Sequence, residues 1–184
     1  MDTDLTLLDA ARKLDQKALV AIFDRYAPDL YNYALYLRSD PSKADNVVGA
    51  VFSKFLEQLA DGKEPQMNLR SHLYKITYHL TVDEPHFSKR EVALEFLNFE
   101  LNYSDGHQPK ASMPENKRVM DKLALAIKKH LTVDQRHVIM LHFLEGFSLP
   151  EIAEIVGKKV RNIKAIQSRA ITKLSKVMDY TVSA

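Results

Sequence analysis

Apolar residues recur at three- and four-residue steps along most of this 184-residue chain, the pattern of helices that each bury one face. The first half contains three such stripes, over residues 19–37, 47–59 and 69–80. Asp40-Pro41-Ser42 breaks the chain between the first two, because proline suits the first turn of a helix. Asp61-Gly62 is expected to end the second helix and Pro85 to stop the third. The pattern predicts a three-helix bundle up to about residue 90.

The second half of the chain predicts three further helices whose ends carry cap signals. Helical periodicity is lost over residues 91–116 and returns from Lys117. Thr132–Gln135 and Ser148–Glu151 both fit the capping box that opens a helix. Gly146 and Gly157 are expected to end the helices before them, since glycine accepts the left-handed cap conformation.

These signals define the last predicted helices closely. A short helix spans residues 149–156, and a longer one begins two or three residues after Gly157 and runs to about Met178. A short capped helix, a glycine turn and a longer basic helix form the helix-turn-helix pattern. The sequence therefore predicts an all-α fold in which two small helical domains, residues 1–90 and 117–184, are joined by a partly extended linker over 91–116.

Composition indicates a soluble protein of the cytosol. Apolar residues make up 46% and charged residues 27% of the chain, an ordinary globular balance. No apolar run approaches the roughly 20 residues that span a bilayer, so no membrane insertion is expected. Residues 1–9 carry no basic residue ahead of Leu7-Leu8 and do not resemble a signal peptide. The absence of cysteine fits a reducing compartment, and we expect a cytoplasmic protein.

Charge is concentrated near the C-terminus. Residues 157–176 contain seven lysines and arginines and no acidic residue, which leaves the rest of the chain at −5 because the total is +2. Such asymmetry suggests a polyanion partner, although a solvated surface helix would also explain charge alone.

The last predicted helix separates into two faces at 100° per residue. Its apolar face is predicted to be buried and comprises Ile163, Ile166, Ala170, Leu174 and Val177. The opposite face comprises Arg161, Ala165, Ser168 and Thr172; together with Lys164, Arg169 and Lys176 at its border, it is here called the basic strip. Lys159 and Asn162 lie at the start of the same helix and complete the predicted DNA contacts. Small residues in the centre and long basic residues at the border suit a helix in the major groove.

The residue types of the basic strip predict a division of roles. Arginine can bond guanine bidentately, Ser168 and Thr172 can bond bases or phosphates, and Ala165 allows close approach. The lysines would mainly position the helix on phosphates. The alternative is that this face is merely hydrated.

Four segments of the sequence resemble the conserved domains of a known family. The segment "GFSLPEIAEIVGKKVRNIKAIQSRAITKL" is similar to the second conserved domain of bacterial extracytoplasmic-function (ECF) sigma factors of the sigma-70 family. "LVAIFDRYAPDLYNYALYL", "DPSKADNVVGAVFSKFLEQL" and "NLRSHLYKITYHLTVD" resemble the first domain, in order and spacing. Together the matches cover about three quarters of the chain.

The resemblance implies a promoter-recognition factor that works with RNA polymerase core. The second domain would bind the −35 element, and the first would dock on the β′ subunit and capture unpaired −10 bases; the β subunit is also expected as a partner. Core binding would fall to Asp45, Asn46 and Gly49, where the family usually carries more acidic and amide residues. The −10 candidates are Arg70, Tyr74, Lys75, Tyr78, Lys89 and Arg90. Tyrosines at this spacing can instead complete the bundle core, and that alternative stays open.

Other function classes find little support in the sequence. No phosphate-binding loop, nucleophile elbow or paired carboxylates are apparent, so neither an enzyme nor a cofactor is expected. No metal site is expected either: His72 and His79 lie about 10 Å apart along a helix. An operator-binding helix-turn-helix regulator with a sensor domain is the competing interpretation, and a protein that does not bind DNA is a second alternative. No further C-terminal sensory domain is visible, so control by a separate anti-sigma factor is expected.

Overall fold

The computed structural model describes residues 3–38, 40–63, 65, 67–82 and 115–182. Every regular element within these ranges is an α-helix, which confirms the all-α fold class. The helices are α1 (Thr3–Ala11), α2 (Gln16–Arg38), α3 (Pro41–Ala60), α4 (Leu69–Val82), α5 (Glu115–His130), α6 (Val133–Phe143), α7 (Leu149–Val156) and α8 (Val160–Val182). Among the helices described, none is both long and apolar enough to cross a lipid bilayer.

The described residues form two compact units. Unit 1 contains α1–α4 and residues 150–158, and unit 2 contains residues 115–149 and 159–182. The apolar pattern did not predict that residues 150–158 group with the first four helices. The predicted boundary near residue 90 and the stop at Pro85 lie outside the described residues, as does the linker apart from its last two residues, where α5 begins. The extents of the two predicted domains therefore stay a prediction.

Unit 1 is built on α2, which packs against α3, α4 and α1. Asp40 caps α3 as the sequence predicts: its carboxylate accepts the N–H groups of Ser42 at 2.9 Å and Lys43 at 3.2 Å, and Pro41 begins the helix. The largest fully buried side chains of these helices are Ile22, Leu30, Tyr33, Val51, Phe55, Leu73 and Tyr74. The three predicted stripes thus form the core of this unit.

A first helix that the sequence pattern did not predict completes unit 1. Helix α1 buries Leu8 and Ala11, and Asp4 fastens it to α2. The Asp4 carboxylate accepts the Tyr26 hydroxyl at 2.6 Å and pairs with Arg25 at 2.7 Å. Burial raises the pKa of the Tyr26 phenol well above its ordinary value, and the hydrogen bond and charge of Asp4 raise it further. Tyr26 is therefore protonated near neutral pH and donates to Asp4.

Helix α4 turns several polar side chains inward. Ser71, Thr77 and Thr81 are buried. The Thr77 hydroxyl donates to the Leu73 carbonyl at 2.9 Å, and the Thr81 hydroxyl donates to the Thr77 carbonyl at 2.9 Å. Because Thr77 and Thr81 each bond a carbonyl of their own helix, these two hydroxyl groups are satisfied without a partner from elsewhere.

In unit 2, helix α6 is buried on every side from Arg136 to Leu141. The predicted capping box at its start is confirmed: the Thr132 hydroxyl accepts the Gln135 N–H at 3.4 Å, and the Gln135 side chain accepts the Thr132 N–H at 3.1 Å. Helix α8 packs on α5 and α6. One apolar cluster of this unit comprises Ala126, Leu131, Ile139, Ala170 and Leu174, with Leu123, Ile127, Val177 and Met178 at its edge.

The predicted helix ends are correct for α7 and close for its neighbours. Helix α7 spans Leu149–Val156 as predicted, and Gly157 follows with φ of 69°. Helix α6 ends at Phe143 rather than just before Gly146, which takes φ of 73° within the turn. Helix α8 begins at Val160 as predicted and continues to Val182, past the expected end.

Candidate nucleic-acid interface

The two predicted faces of α8 are confirmed by burial. Ile163 and Ala170 are fully buried and Leu174 is 9% exposed, whereas Ile166 and Val177 are half-buried. Gln167 is half-buried beside them. Every predicted DNA contact on this helix and at its start is exposed, namely Lys159, Arg161, Asn162, Lys164, Ala165, Ser168, Arg169 and Thr172. Helix α8 therefore presents one continuous polar face, with all of its candidate residues on the surface.

Two side chains of the basic strip are held against their own helix. The Arg169 Nε donates to the Ala165 carbonyl at 3.1 Å, and the Thr172 hydroxyl donates to the Ser168 carbonyl at 2.9 Å. The Arg169 bond uses one donor of the guanidinium and leaves its terminal nitrogens to bond a phosphate or a base edge. The threonine oxygen can still accept a hydrogen bond. Both side chains thus have restricted directions before any partner binds, which lowers the entropy cost of binding.

The start of α8 adds to the positive potential of this face. Gly157 turns the chain, and the Lys158 N–H donates to the Ala153 carbonyl at 3.0 Å. The N–H groups of Asn162 and Ile163 donate to the Lys159 carbonyl at 2.8 and 3.2 Å. The positive end of the helix dipole and the exposed Lys159 side chain lie at the same end of α8, an arrangement that favours a phosphate.

The tyrosines of α4 are core residues in this structure. Tyr74 is fully buried and Tyr78 is 5% exposed. The Tyr74 ring lies 5.3 Å from the Tyr33 ring, and the Arg70 guanidinium lies 5.3 Å from the Tyr74 centroid. The burial of both rings favours the core alternative, and stacking of −10 bases on Tyr74 and Tyr78 stays a prediction.

The cationic candidates near α4 differ from the tyrosines. Arg70 and Lys75 are half-buried, so part of each side chain reaches solvent. Lys89 and Arg90 lie outside the described residues. The described cations of α4 are therefore only partly accessible to nucleic acid, whereas those of the basic strip on α8 are exposed.

Helix α3 has an apolar face inside unit 1 and a small polar face outside. Val47, Val51, Phe52 and Phe55 are buried, as predicted. Asp45, Asn46 and Gly49 are exposed, as predicted. Apart from the neighbouring residues and the backbone of its own helix, no described heavy atom lies within 4 Å of the position that a Cβ would take at Gly49. The helix thus offers an open strip where another backbone could approach closely.

A groove of about 530 Å³ lies beside this strip, between α2 and α3. Its lining comprises Phe23, Asp24, Ala27, Pro28, Tyr31, Asn32, Asp45, Val48 and Gly49. Phe23 is 45% exposed although its ring packs 4.7 Å from that of Phe52. Phe23 lies within the apolar stripe predicted over residues 19–37, a pattern that does not predict the groove. Pro28, inside α2, is an irregularity visible in the sequence, and it lines the groove.

The histidines serve local contacts. The His72 Nε2 lies 2.7 Å from the Gln58 side-chain oxygen, and burial lowers the pKa of His72 below its ordinary value. Within the described ranges, no three histidine, aspartate or glutamate side chains lie close enough together to hold a metal ion.

Comparisons with known proteins agree with this arrangement. The family model of sigma-70 region 4 matches residues 122–174, which include α6, α7 and most of α8. The chain is 25% identical over 178 residues to the ECF RNA polymerase sigma factor BldN of Streptomyces coelicolor, covering 95% of this chain and 65% of BldN. It is 24% identical over 163 residues to the ECF RNA polymerase sigma factor SigX of Bacillus subtilis, covering 86% of this chain and 82% of SigX.

Two solved structures share the fold. CnrH, in complex with the cytosolic domain of CnrY, matches with a TM-score of 0.71 and 25% identity over 97% of this chain and 99% of CnrH. The sigma factor RpoE of Bartonella quintana, in complex with the anti-sigma factor NepR, matches with a TM-score of 0.57 and 23% identity over 89% of this chain and 96% of RpoE.

Proposed function

The chain belongs to the ECF sigma factors of the sigma-70 family, and from that premise we propose that it directs promoter-specific initiation by RNA polymerase. In this proposal α8 reads the −35 element as duplex DNA. Unit 1 binds the polymerase core and the −10 element. The polymerase carries out the chemistry in the cytoplasm, and this chain contributes recognition and strand opening.

The observation that best supports this proposal is the one-sided exposure of α8. A continuous surface with Ala165 and Ser168 at its centre can enter the major groove closely. Arg161 and Arg169 can then bond base edges, while Lys164 and Lys159 bond phosphates. The lack of acidic residues from 157 to 176 keeps this surface attractive to DNA along its whole length.

We propose that the exposed strip of α3 binds the core polymerase. Asp45 supplies a negative charge, and Asn46 supplies an amide next to it. Glycine inside a helix costs about 1 kcal/mol relative to alanine. Nothing in the described structure packs into the space beside Gly49. Closer packing within unit 1 therefore does not offset the cost of the glycine. A close approach by a partner helix would explain why glycine is used there.

Contacts to the −10 element are proposed for Arg70 and Lys75, whose half-buried side chains reach the surface of unit 1. Tyr74 would act indirectly, by holding the Arg70 guanidinium over its ring. The proposed contacts of Lys89 and Arg90 rest on sequence alone.

Control by a separate anti-sigma protein is part of the proposal. CnrH and RpoE were both solved with a bound protein, the cytosolic domain of CnrY and the anti-sigma factor NepR. Both share the fold of this chain, which supports an analogous partner here.

The proposal is tested by transcription with purified core polymerase and promoter fragments. We expect specific transcripts only when the protein is added, and expect them to be lost when Arg161, Lys164 and Arg169 are all replaced with alanine. The matched control replaces the exposed Lys13, Lys17 and Lys63 with alanine, which removes the same charge from unit 1. That control should leave initiation intact.

Two outcomes would contradict the proposal. Specific duplex binding without any stimulation of core polymerase would favour the operator-binding regulator. Unchanged binding of the triple variant to a cognate and to a scrambled −35 fragment would show that α8 does not read the promoter.

For the α3 surface, Asp45→Lys should weaken association with core polymerase, with Glu57→Lys on the same helix as control. Equal binding by both variants would place the core contact elsewhere.

A further inference from the structure

His142, in the last turn of α6, bonds the backbone of the turn that follows. Its Nδ1 lies 2.8 Å from the Phe147 carbonyl oxygen. A carbonyl oxygen only accepts hydrogen bonds, so Nδ1 carries the hydrogen and donates it. The Phe147 N–H donates in turn to the Leu141 carbonyl at 2.9 Å. Both backbone polar groups of Phe147 are therefore bound to the end of α6.

The hydrogen bond joins the end of α6 to Phe147, and both are held in place by further contacts. Helix α6 is buried from Arg136 to Leu141, and the Phe147 side chain is 2% exposed. The N–H groups of Leu144 and Glu145 both donate to the Met140 carbonyl, at 2.9 and 3.1 Å. The His142 ring also packs edge-on against Phe143, with centroids 4.8 Å apart. The turn is thus tied to α6 through Leu144, Glu145 and Phe147, and His142 supplies one of these bonds.

We propose that His142 is a positioning residue for DNA binding. By holding the Phe147 carbonyl, it keeps the turn of residues 144–148 packed on the end of α6, the helix on which α8 packs. Loss of this bond would let the turn adopt other conformations and lower the fraction of molecules in which this part of unit 2 is ready to bind DNA. The apparent affinity falls in proportion to that fraction. This inference rests on the proposed function of α8.

The test compares His142→Leu with His142→Asn. The asparagine amide nitrogen can occupy the place of Nδ1 and donate to the same carbonyl, whereas leucine cannot donate. We expect His142→Leu to bind a −35 duplex more weakly than the asparagine variant, by at most about tenfold, because the loss of one hydrogen bond sets the upper limit. We expect His142→Asn to stay within about twofold of the parent. His79→Leu, at an exposed histidine of α4, is the control.

The salt dependence of binding separates positioning from direct contact. A lost phosphate contact reduces the slope of log affinity against log salt, whereas a turn that is less often competent leaves the slope unchanged. His142→Leu should therefore weaken binding at every salt concentration by a similar factor. A reduced slope, or equal affinity of the leucine and asparagine variants, would overturn the positioning role.

Amide hydrogen exchange tests the bond without DNA. The Phe147 amide should exchange faster in His142→Leu and at the parent rate in His142→Asn. Unchanged exchange in the leucine variant would overturn the proposal. If the alanine variant of Arg161, Lys164 and Arg169 also binds DNA like the parent, the proposed function of α8 fails instead.

Discussion

Helices α4 and α8 place the same kinds of polar side chain in opposite environments, α4 in a core and α8 at the surface. In α4, Thr77 and Thr81 are buried and bond carbonyls of their own helix, and Tyr74 lies fully inside unit 1. In α8, Thr172 makes the same kind of bond but lies at the surface. The same residue types at helical spacing thus belong to a core in one helix and to a binding face in the other.

The difference shows what a helix must keep free in order to bind nucleic acid. Helix α4 is packed against α2 and α3, so most of its side chains are buried and its cations Arg70 and Lys75 are only half-exposed. Helix α8 buries one apolar face and leaves the other open. We infer that unit 1 can contact a strand with a few charged side chains, whereas α8 can contact DNA along several turns.

The largest expected effect tests whether α8 buries the face of Ile163 and exposes the face of Ala165. Ile163→Asp should lower the free energy of unfolding by more than about 4 kcal/mol, because it deletes a buried apolar side chain and buries an unpaired charge. The control Ala165→Asp adds the same charge on the exposed face and should leave folding intact while weakening DNA binding. Urea unfolding and duplex binding measure the two effects. Equal stability of the two variants would mean that the faces of α8 are misassigned.

A somewhat smaller effect tests the core role of the α4 tyrosines. Tyr74→Ala should cost about 3–5 kcal/mol of stability, the usual range for a large aromatic residue removed from a core. Tyr36→Ala, at a residue that is 58% exposed, should change stability by no more than about 0.5 kcal/mol. Thermal and urea unfolding provide the measurement. A stable Tyr74→Ala variant that loses only single-strand binding would return Tyr74 to the −10 surface.

Binding energies should distinguish two residues within the basic strip. Arg161→Ala should cost about 1–3 kcal/mol of −35 affinity and relax the preference at one base pair, as expected for a lost base contact. Lys164→Ala should weaken cognate and scrambled duplexes alike and reduce the salt slope by about one. Salt-titrated binding to both duplexes separates the outcomes. Identical profiles for the two variants would contradict this division of roles.

The smallest effect compares one hydrogen bond in the two helices. Thr77 and Thr172 each donate to the carbonyl four residues earlier at 2.9 Å, and they differ in burial. Thr77→Val should lower stability by about 1 kcal/mol, since it removes a buried hydrogen bond. Thr172→Val should change it by no more than about 0.5 kcal/mol, because water competes for that hydroxyl. Similar losses in urea unfolding would show that burial does not separate these threonines.

The features that could be predicted from sequence are those with a strong local cause. Gly157 and the apolar run before it define α7, and the basic face of α8 follows from residues that have no place in a core. The end of α6 is less well defined, because Leu144 caps the helix before Gly146 reverses the chain. A glycine marks a turn there, and not the last residue of the helix.

Tertiary packing accounts for what the sequence could not show. Helix α1 buries only Leu8 and Ala11, which is too little to give a periodic signal. Tyr74 and Tyr78 have an apolar ring and a polar hydroxyl, so composition alone allows either a core or a surface role. The groove beside α3 depends on how α2 and α3 pack, a relation between segments that no single stripe records.

The two glycines that bound α7 leave this region unusual evolutionary latitude. Gly146 and Gly157 have φ of 73° and 69°, and nothing lies within 4 Å of a Cβ at either position. The demand at both sites is for handedness, which costs most L-residues about 1–2 kcal/mol, and not for room. Asparagine visits this conformation more readily than other side chains, so descendants of this sequence can exchange glycine for asparagine there without any change in neighbouring residues. Within the described structure, exchange at these two sites is therefore limited by backbone stereochemistry and not by the packing of neighbouring side chains.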